Sequence, residues 1–168
     1  MNDILEKLDL TRLLRYALFM LLTLMFQNMV LSHIRPLGVC PLVLPAAAAA
    51  VGMFEGATFG PVFSLIMGYF ADMSFVENRI FFLLLLPVLS LLAAFVSQFF
   101  INRRFFAFMG LTLLSLVITS GLQILKTMAL DAWSTQLLLA GIFQTLWSLP
   151  FSALAYFLPA RWSRERLR

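Results

Sequence analysis

Two carboxylates, one histidine and one cysteine are the side chains of this sequence best suited to chemistry. Glu55 and Asp72 lie at the two ends of one apolar stretch. In a helix they would be about 25 Å apart, which is too far for them to act as one acid–base pair. His33 and Cys40 each stand alone, so the sequence contains neither a catalytic triad nor a metal-ligand motif. We therefore predict a protein that is not an enzyme and that binds no metal or cofactor.

Small residues recur at every fourth position between the two carboxylates, as Gly56, Gly60, Ser64 and Gly68. At helical pitch this spacing leaves one face of the helix bare, and another helix can approach its backbone closely. A glycine in a helix interior costs about 1 kcal/mol relative to alanine, so the repeat indicates a packing requirement. Two interpretations are open. The strip packs against a helix of the same chain, or its four residues bind a transmembrane helix of a partner protein.

The two carboxylates differ in their expected surroundings. Glu55 would lie at the start of a helix, where the helix dipole and free N–H groups favour an anion. Asp72 would lie at the C-terminal end of the same helix, where the dipole disfavours negative charge. Its nearest basic residue downstream is Arg79. We predict that both carboxylates have a structural or partner-contact role, with Asp72 paired to Arg79 or to a group on another subunit.

Polar side chains within the apolar runs are mostly amides and hydroxyls. Such groups commonly form hydrogen bonds between helices or to their own helix backbone, although converging amides could also line a ligand pocket. We favour the structural role for both sets. The amides are Gln27, Gln98, Gln123 and Gln144, and the hydroxyls Thr112, Ser115 and Thr119 share one helical stripe.

The composition requires a lipid environment. Hydrophobic residues make up 62% of the 168 residues and charged residues 12%, whereas soluble domains average about 25% charged residues. The net charge is +4, but most basic residues lie at the ends of apolar runs. This placement indicates membrane topology and contact with anionic lipid, and it argues against a nucleic-acid partner.

The apolar runs predict an all-α integral membrane protein, a bundle of about six transmembrane helices. The expected organisation is an amphipathic cytoplasmic lead-in over residues 1–12, a six-span domain over residues 13–158 and a basic cytoplasmic tail over residues 159–168. Spans two and three should form a tight hairpin at Glu55-Gly56, and Ser148-Leu149-Pro150 should kink the sixth span. Nine of the twelve Lys and Arg residues fall on one side of this topology. The positive-inside rule then places both termini in the cytoplasm.

Taken in order, these motifs resemble the MreD family of rod shape-determining membrane proteins. The family pattern has Gly-Val-x-Pro at the start of the second span, Glu-Gly at the hairpin, and spaced glycines that end in an aspartate. This chain has Gly38-Val39-Cys40-Pro41, Glu55-Gly56, Gly60, Gly68 and Asp72, and the Glu77-Asn78-Arg79 link is also similar. It departs from the family at Leu42, where many members carry Asp or Asn, so a polar role is not expected at that position.

The resemblance implies a non-enzymatic scaffold in the bacterial plasma membrane that regulates cell shape and lateral peptidoglycan synthesis. The implied partners are MreC, the actin-like MreB, RodA and a class B penicillin-binding transpeptidase. The family is also similar in fold to the substrate-binding subunits of energy-coupling factor importers, so a vitamin-binding membrane subunit is the alternative. Those subunits commonly carry an Ala-x-x-x-Ala pair on the first span, where this chain has only Ala17.

Overall fold

The computed structural model describes residues 10–34, 40–74, 80–99, 105–130 and 135–165, and every regular element in these ranges is a helix. Four of the helices are long and apolar enough to cross a membrane, and the last two would form a fifth span bent by 40°. The prediction of an all-α membrane protein is confirmed at this level. The helices are α1 (Leu10–Met25, continued by a π-helix, Phe26–Leu31), α2 (Leu44–Ser74), α3 (Phe81–Phe99), α4 (Phe105–Leu130), α5 (Thr135–Ser152) and α6 (Leu154–Glu165).

Large apolar side chains cover the outside of the bundle. Leu14 is 70% exposed, Leu84 67% and Phe106 86%, and many other leucines and phenylalanines are similarly exposed. A soluble monomer rarely exposes contiguous apolar patches of this kind. The outer surface is therefore suited to lipid, as expected of a multi-pass membrane protein.

Helix α2 folds back on itself at Gly56. This residue has φ 85° and ψ −174°, a conformation that is essentially restricted to glycine. A Cβ atom added to Gly60 would lie 2.7 Å from the Cα of Gly52, although these two residues would be about 12 Å apart in a straight helix. The two arms, α2a (residues 44–55) and α2b (residues 57–74), therefore form the tight hairpin predicted at Glu55-Gly56.

The arm α2a is the centre of the bundle. Every residue from 41 to 54 is buried, and Ala46 to Ala50 are at most 1% exposed. Alanine side chains are short, so neighbouring helices approach the backbone of α2a closely on all sides. The alanine run thus gives this arm the smooth surface that a central helix requires.

The second span begins with a non-helical segment, because α2 starts only at Leu44. Pro41 disfavours a helical conformation in the residue that precedes it, and Pro45 lies in the first turn of α2, where proline is tolerated. The α2a arm alone rises about 18 Å, which is less than the roughly 30 Å of a bilayer core. Non-helical residues 40–43 precede it, and at about 3.3 Å per residue they supply most of the difference.

Other boundaries also differ from the sequence-based expectation. Helix α4 continues to Leu130 through Lys126, which is half-buried. The sixth span breaks at Ala153, between α5 and α6, and not at residues 148–150. Because α6 continues to Glu165, most of the expected basic tail is helical. The greater part of the lead-in, the link over residues 75–79 and residues 166–168 lie outside the described residues.

Candidate functional site

The small-residue strip of α2b packs against α3 of the same chain. A Cβ atom added to Gly68 would lie 2.5 Å from the carbonyl oxygen of Phe82, and one added to Gly60 would lie 2.7 Å from Ser90 Oγ. Ser64 is fully buried. The strip is therefore occupied by a helix of its own chain, and the interpretation of Gly60, Ser64 and Gly68 as partner-binding residues is corrected accordingly.

Gly56, the first residue of the repeat, has a different role. Its backbone conformation requires glycine, whereas the atom nearest to an added Cβ, Nε2 of Gln98 on α3, would be an ordinary 3.8 Å away. The spacing of four thus combines one turn residue with three packing residues. Gly60 and Gly68 contact α3 too closely to accept a Cβ atom, whereas Gly56 leaves room for one beside α3.

A fourth glycine, Gly52, lies at the point where α2a, α2b and α3 cross. An added Cβ atom at Gly52 would lie 2.1 Å from the carbonyl oxygen of Ser90 and 2.7 Å from its Oγ. Ser90 therefore sits directly against the Cα atoms of Gly52 and Gly60, where Cα–H groups are weak donors. Among the described residues, the buried hydroxyls of Ser64 and Ser90 have no conventional hydrogen-bond partner. In the sequence, this crossing is indicated by a glycine at position 52, eight residues before Gly60.

Asp72 caps the next helix. Its Oδ1 accepts the backbone N–H of Phe82 at 3.0 Å, and its Oδ2 accepts that of Leu83 at 2.8 Å. These N–H groups lie in the first turn of α3, where backbone donors are free and the helix dipole favours an anion. The compensating partial positive charge comes from the N-terminus of the helix that follows Asp72 and not from the helix on which Asp72 lies. Arg79, the partner suggested by the sequence, lies outside the described residues.

Glu55 is tied to the first helix. The hydroxyl of Tyr16 on α1 donates a hydrogen bond to Glu55 Oε1. Tyr16 is only 2% exposed, and its ring lies 5.2 Å from that of Phe59 and 5.3 Å from that of Trp162, centroid to centroid. Tyr16 thus joins α1 to Glu55 beside the Gly56 turn and to Trp162 on α6, so the hydrogen bond of Glu55 belongs to helix packing.

Two of the amides hold the non-helical segment of residues 40–43. Gln27 Nε2 donates to the carbonyl oxygen of Pro41 at 2.8 Å, and its Oε1 accepts the N–H of Val43 at 2.9 Å. Ser148 Oγ accepts the N–H of Leu42 at 2.8 Å, and Gln144 Nε2 donates to the carbonyl oxygen of Cys40 at 3.2 Å. Backbone groups at membrane depth need such partners because lipid offers none.

The π-helix of α1 helps to place Gln27 in this contact. Residue 27 lies within the π turn Phe26–Leu31 and is 1% exposed, and π turns often occur at functional positions. Neither the π turn nor the precise target of Gln27 was evident from sequence, although an amide in an apolar run indicated a buried hydrogen bond.

The other two amides are less buried: the side chain of Gln98 is exposed and that of Gln123 is half-buried.

The hydroxyl stripe of α4 bonds mainly to its own helix. Thr112, Ser115 and Thr119 donate to backbone carbonyls three or four residues earlier, as the structural interpretation predicts. Ser120 and Thr145 approach to 3.2 Å between their hydroxyl oxygens and join α4 to α5. The stripe therefore belongs to helix packing.

Two apolar grooves flank α1. One, of about 600 Å³, lies between α1 and α2b and includes Ala17, Met20, Thr58 and Val62. The other, of about 410 Å³, lies between α1 and α6. Within the described ranges no three His, Cys, Asp or Glu residues are grouped as metal ligands. The described residues thus present apolar contact surfaces, and most of their buried polar side chains bond within the chain.

Comparison with models of protein families, with characterised proteins and with solved structures gives no match to this chain. The functional interpretation therefore depends on the residues and their geometry.

Proposed function

We propose that the protein is a membrane scaffold of the bacterial rod complex, which holds MreC and the wall synthases together and so regulates cell shape. MreB, RodA and a class B penicillin-binding transpeptidase are the further partners. The proposal includes the six-span topology with both termini in the cytoplasm of a plasma-membrane protein. In it α2a, with its preceding non-helical segment, and α2b each cross the bilayer.

The observation that carries the proposal is the structural role of the motif residues. The resemblance to the MreD family depends on Glu-Gly at a hairpin and on an aspartate that follows spaced glycines. In this chain Gly56 adopts a conformation essentially restricted to glycine. Gly60 and Gly68 lie against neighbouring backbone. Asp72 caps α3. A pattern in which each member has its own physical requirement is a stronger basis for a family resemblance than apolar composition alone.

The partner surface follows from the occupied strip. Because α3 covers Gly60 and Gly68, we place partner binding at the groove between α1 and α2b, whose walls include exposed Ala17, Val62 and Ile66. Small residues such as Ala17 and Thr58 permit close helix approach, which drives association in lipid. This assignment replaces the glycine strip as the site of contact with MreC.

Co-purification with MreC tests the partner surface. Ala17→Phe would fill the groove and should reduce the recovery of MreC, whereas Leu18→Phe, on the lipid-facing side of α1 where Leu18 is 56% exposed, should not. Equal recovery with both variants would remove this groove from the interface. Both variants must insert at the wild-type level, as measured in isolated membranes.

Depletion of the protein in its own host tests the cellular role. Loss of a rod-complex scaffold should convert rods into round cells, whereas cells that keep their shape would contradict the proposal.

A cysteine or epitope tag at residues 75–78 and one at the C-terminus should be labelled from opposite sides of the membrane. Labelling from the same side would refute the topology.

The vitamin-binding alternative gains no support from the grooves. A ligand site needs a few converging polar groups, but the walls of both grooves are almost entirely apolar, and Gln27 and Gln144 are engaged with backbone. A thermal-shift screen of the purified protein against vitamins separates the two functions. A ligand present at 100 times its dissociation constant should stabilise a binding subunit by about 2.7 kcal/mol, and a scaffold should show no shift.

A further inference from the structure

We propose that the groove between α1 and α6 binds an anionic phospholipid, with one acyl chain in the groove and the headgroup at Arg15 and Arg161. This site is separate from the partner surface between α1 and α2b. The proposed lipid site does not depend on the scaffold function.

The groove is built by two helices that run in opposite directions. The ring of Trp162 on α6 lies 5.3 Å from that of Tyr16 and 6.3 Å from that of Phe19. At the other end of the groove, Phe26 lies 6.2 Å from Phe151 at the end of α5. Low residue numbers on α1 thus face high numbers on α6, so the start of α1 and the end of α6 lie at the same end of the bundle.

Both arginines lie at that end and on the groove face of their helices. Arg15 precedes Phe19 by four residues, and Arg161 follows Leu158 by three. Phe19 and Leu158 line the groove, and residues at these spacings share a helix face. Both arginine side chains are exposed. A guanidinium carries five N–H donors in a planar fork that fits a phosphate group, so each can add a phosphate to its other contacts.

The length of the groove favours a lipid over a protein helix. On α1 its lining extends from Phe19 to Val30, a rise of about 16 Å. One leaflet contributes about half of the roughly 30 Å hydrocarbon core. The groove is therefore about as long as one acyl chain of a phospholipid whose headgroup lies at the two arginines. A transmembrane helix would need a contact surface about twice as long.

Fluorescence quenching by brominated lipids tests the site, because Trp162 lies beside Phe19 of the groove wall. Trp133→Phe and Trp147→Phe together would leave Trp162 as the only tryptophan, which is excited selectively at wavelengths that tyrosine does not absorb. The full chain would be reconstituted in phosphatidylcholine vesicles with increasing fractions of brominated phosphatidylglycerol, or of brominated phosphatidylcholine as reference. We expect phosphatidylglycerol to quench at lower mole fractions, with a preference of roughly fivefold for each arginine.

Charge-removing variants locate the headgroup. Arg15→Gln with Arg161→Gln should abolish the preference for phosphatidylglycerol, while Arg103→Gln with Arg104→Gln removes the same charge elsewhere in the chain and should preserve it. Equal quenching by the two lipids would overturn the proposal, and so would the absence of quenching by either, since the groove would then be filled by protein. An equal loss of preference in both double variants would also overturn it, because it would show attraction by general surface charge.

Discussion

The carboxylate of Asp72, at the end of one helix, accepts the backbone N–H of Leu83 at 2.8 Å, in the first turn of the next. Its other oxygen accepts the N–H of Phe82. A residue in the last turn of α2b therefore caps the first turn of α3 and ties the two helices together at this end of the glycine strip.

Removal of this cap should destabilise the protein. Asp72→Ala leaves two backbone donors without a partner and should lower the free energy of unfolding by about 0.5–2 kcal/mol. Asp72→Asn keeps one acceptor oxygen and should cost less. Unfolding titrations with sodium dodecyl sulfate, followed by circular dichroism, measure both changes. A neutral Asp72→Ala variant would show that the cap does not contribute to stability.

Gly56→Ala should strain the hairpin turn. A residue with a Cβ atom at φ 85° and ψ −174° is disfavoured by about 1–3 kcal/mol, so the unfolding midpoint should fall. Gly110→Ala is the matched control, because Gly110 is exposed on α4 with open space around its Cβ position. That change should be neutral or stabilising by up to about 1 kcal/mol. Similar effects of the two substitutions would contradict the assigned role of Gly56.

Gly60→Ala should separate helices that now touch. An added methyl group would lie 2.7 Å from Gly52 Cα, a backbone atom with no freedom to turn aside. Overpacking of this kind typically costs about 1–3 kcal/mol. Gly121→Ala on α4 has open space and serves as control. Thermal unfolding in one detergent would compare the two, and equal stability would mean that the contact is looser than described.

Gln27→Leu should release the non-helical segment before α2a. The change removes the partners of Pro41 O and Val43 N, and each unsatisfied buried group costs about 1–3 kcal/mol. Gln123→Leu, at a half-buried amide of α4, is the comparison. Cys40 offers a direct measurement, because its reactivity towards a maleimide should rise in Gln27→Leu alone. Unchanged reactivity would indicate that other contacts suffice to hold the segment.

Local signals explain which parts of the fold the sequence predicts. Long apolar runs predict the spans. Glu55-Gly56 predicts the hairpin because the backbone conformation of its turn is essentially restricted to glycine. The partners of the polar side chains depend on helix placement. Gln27 lies 14 and 16 residues before the groups it binds, and Ser148 lies 106 residues after its partner Leu42. Nothing in the spacing specifies such pairs.

The same limitation explains the misjudged surroundings of Asp72. A helix dipole can be assigned along one segment from sequence, but the approach of a second helix N-terminus requires the tertiary arrangement. The glycine strip is a similar case. Its spacing indicates close packing in either interpretation, and only the position of Ser90 and Phe82 identifies α3 as the neighbour.

The non-helical segment before α2a also constrains the order in which the protein can be assembled during synthesis. Its backbone groups at Cys40 and Leu42 find their partners on α5, separated from them by 104 and 106 residues. When this segment leaves the ribosome, only Gln27 has already been made. The hydrogen bonds of this segment therefore remain incomplete until α5 has been synthesised and packed against it.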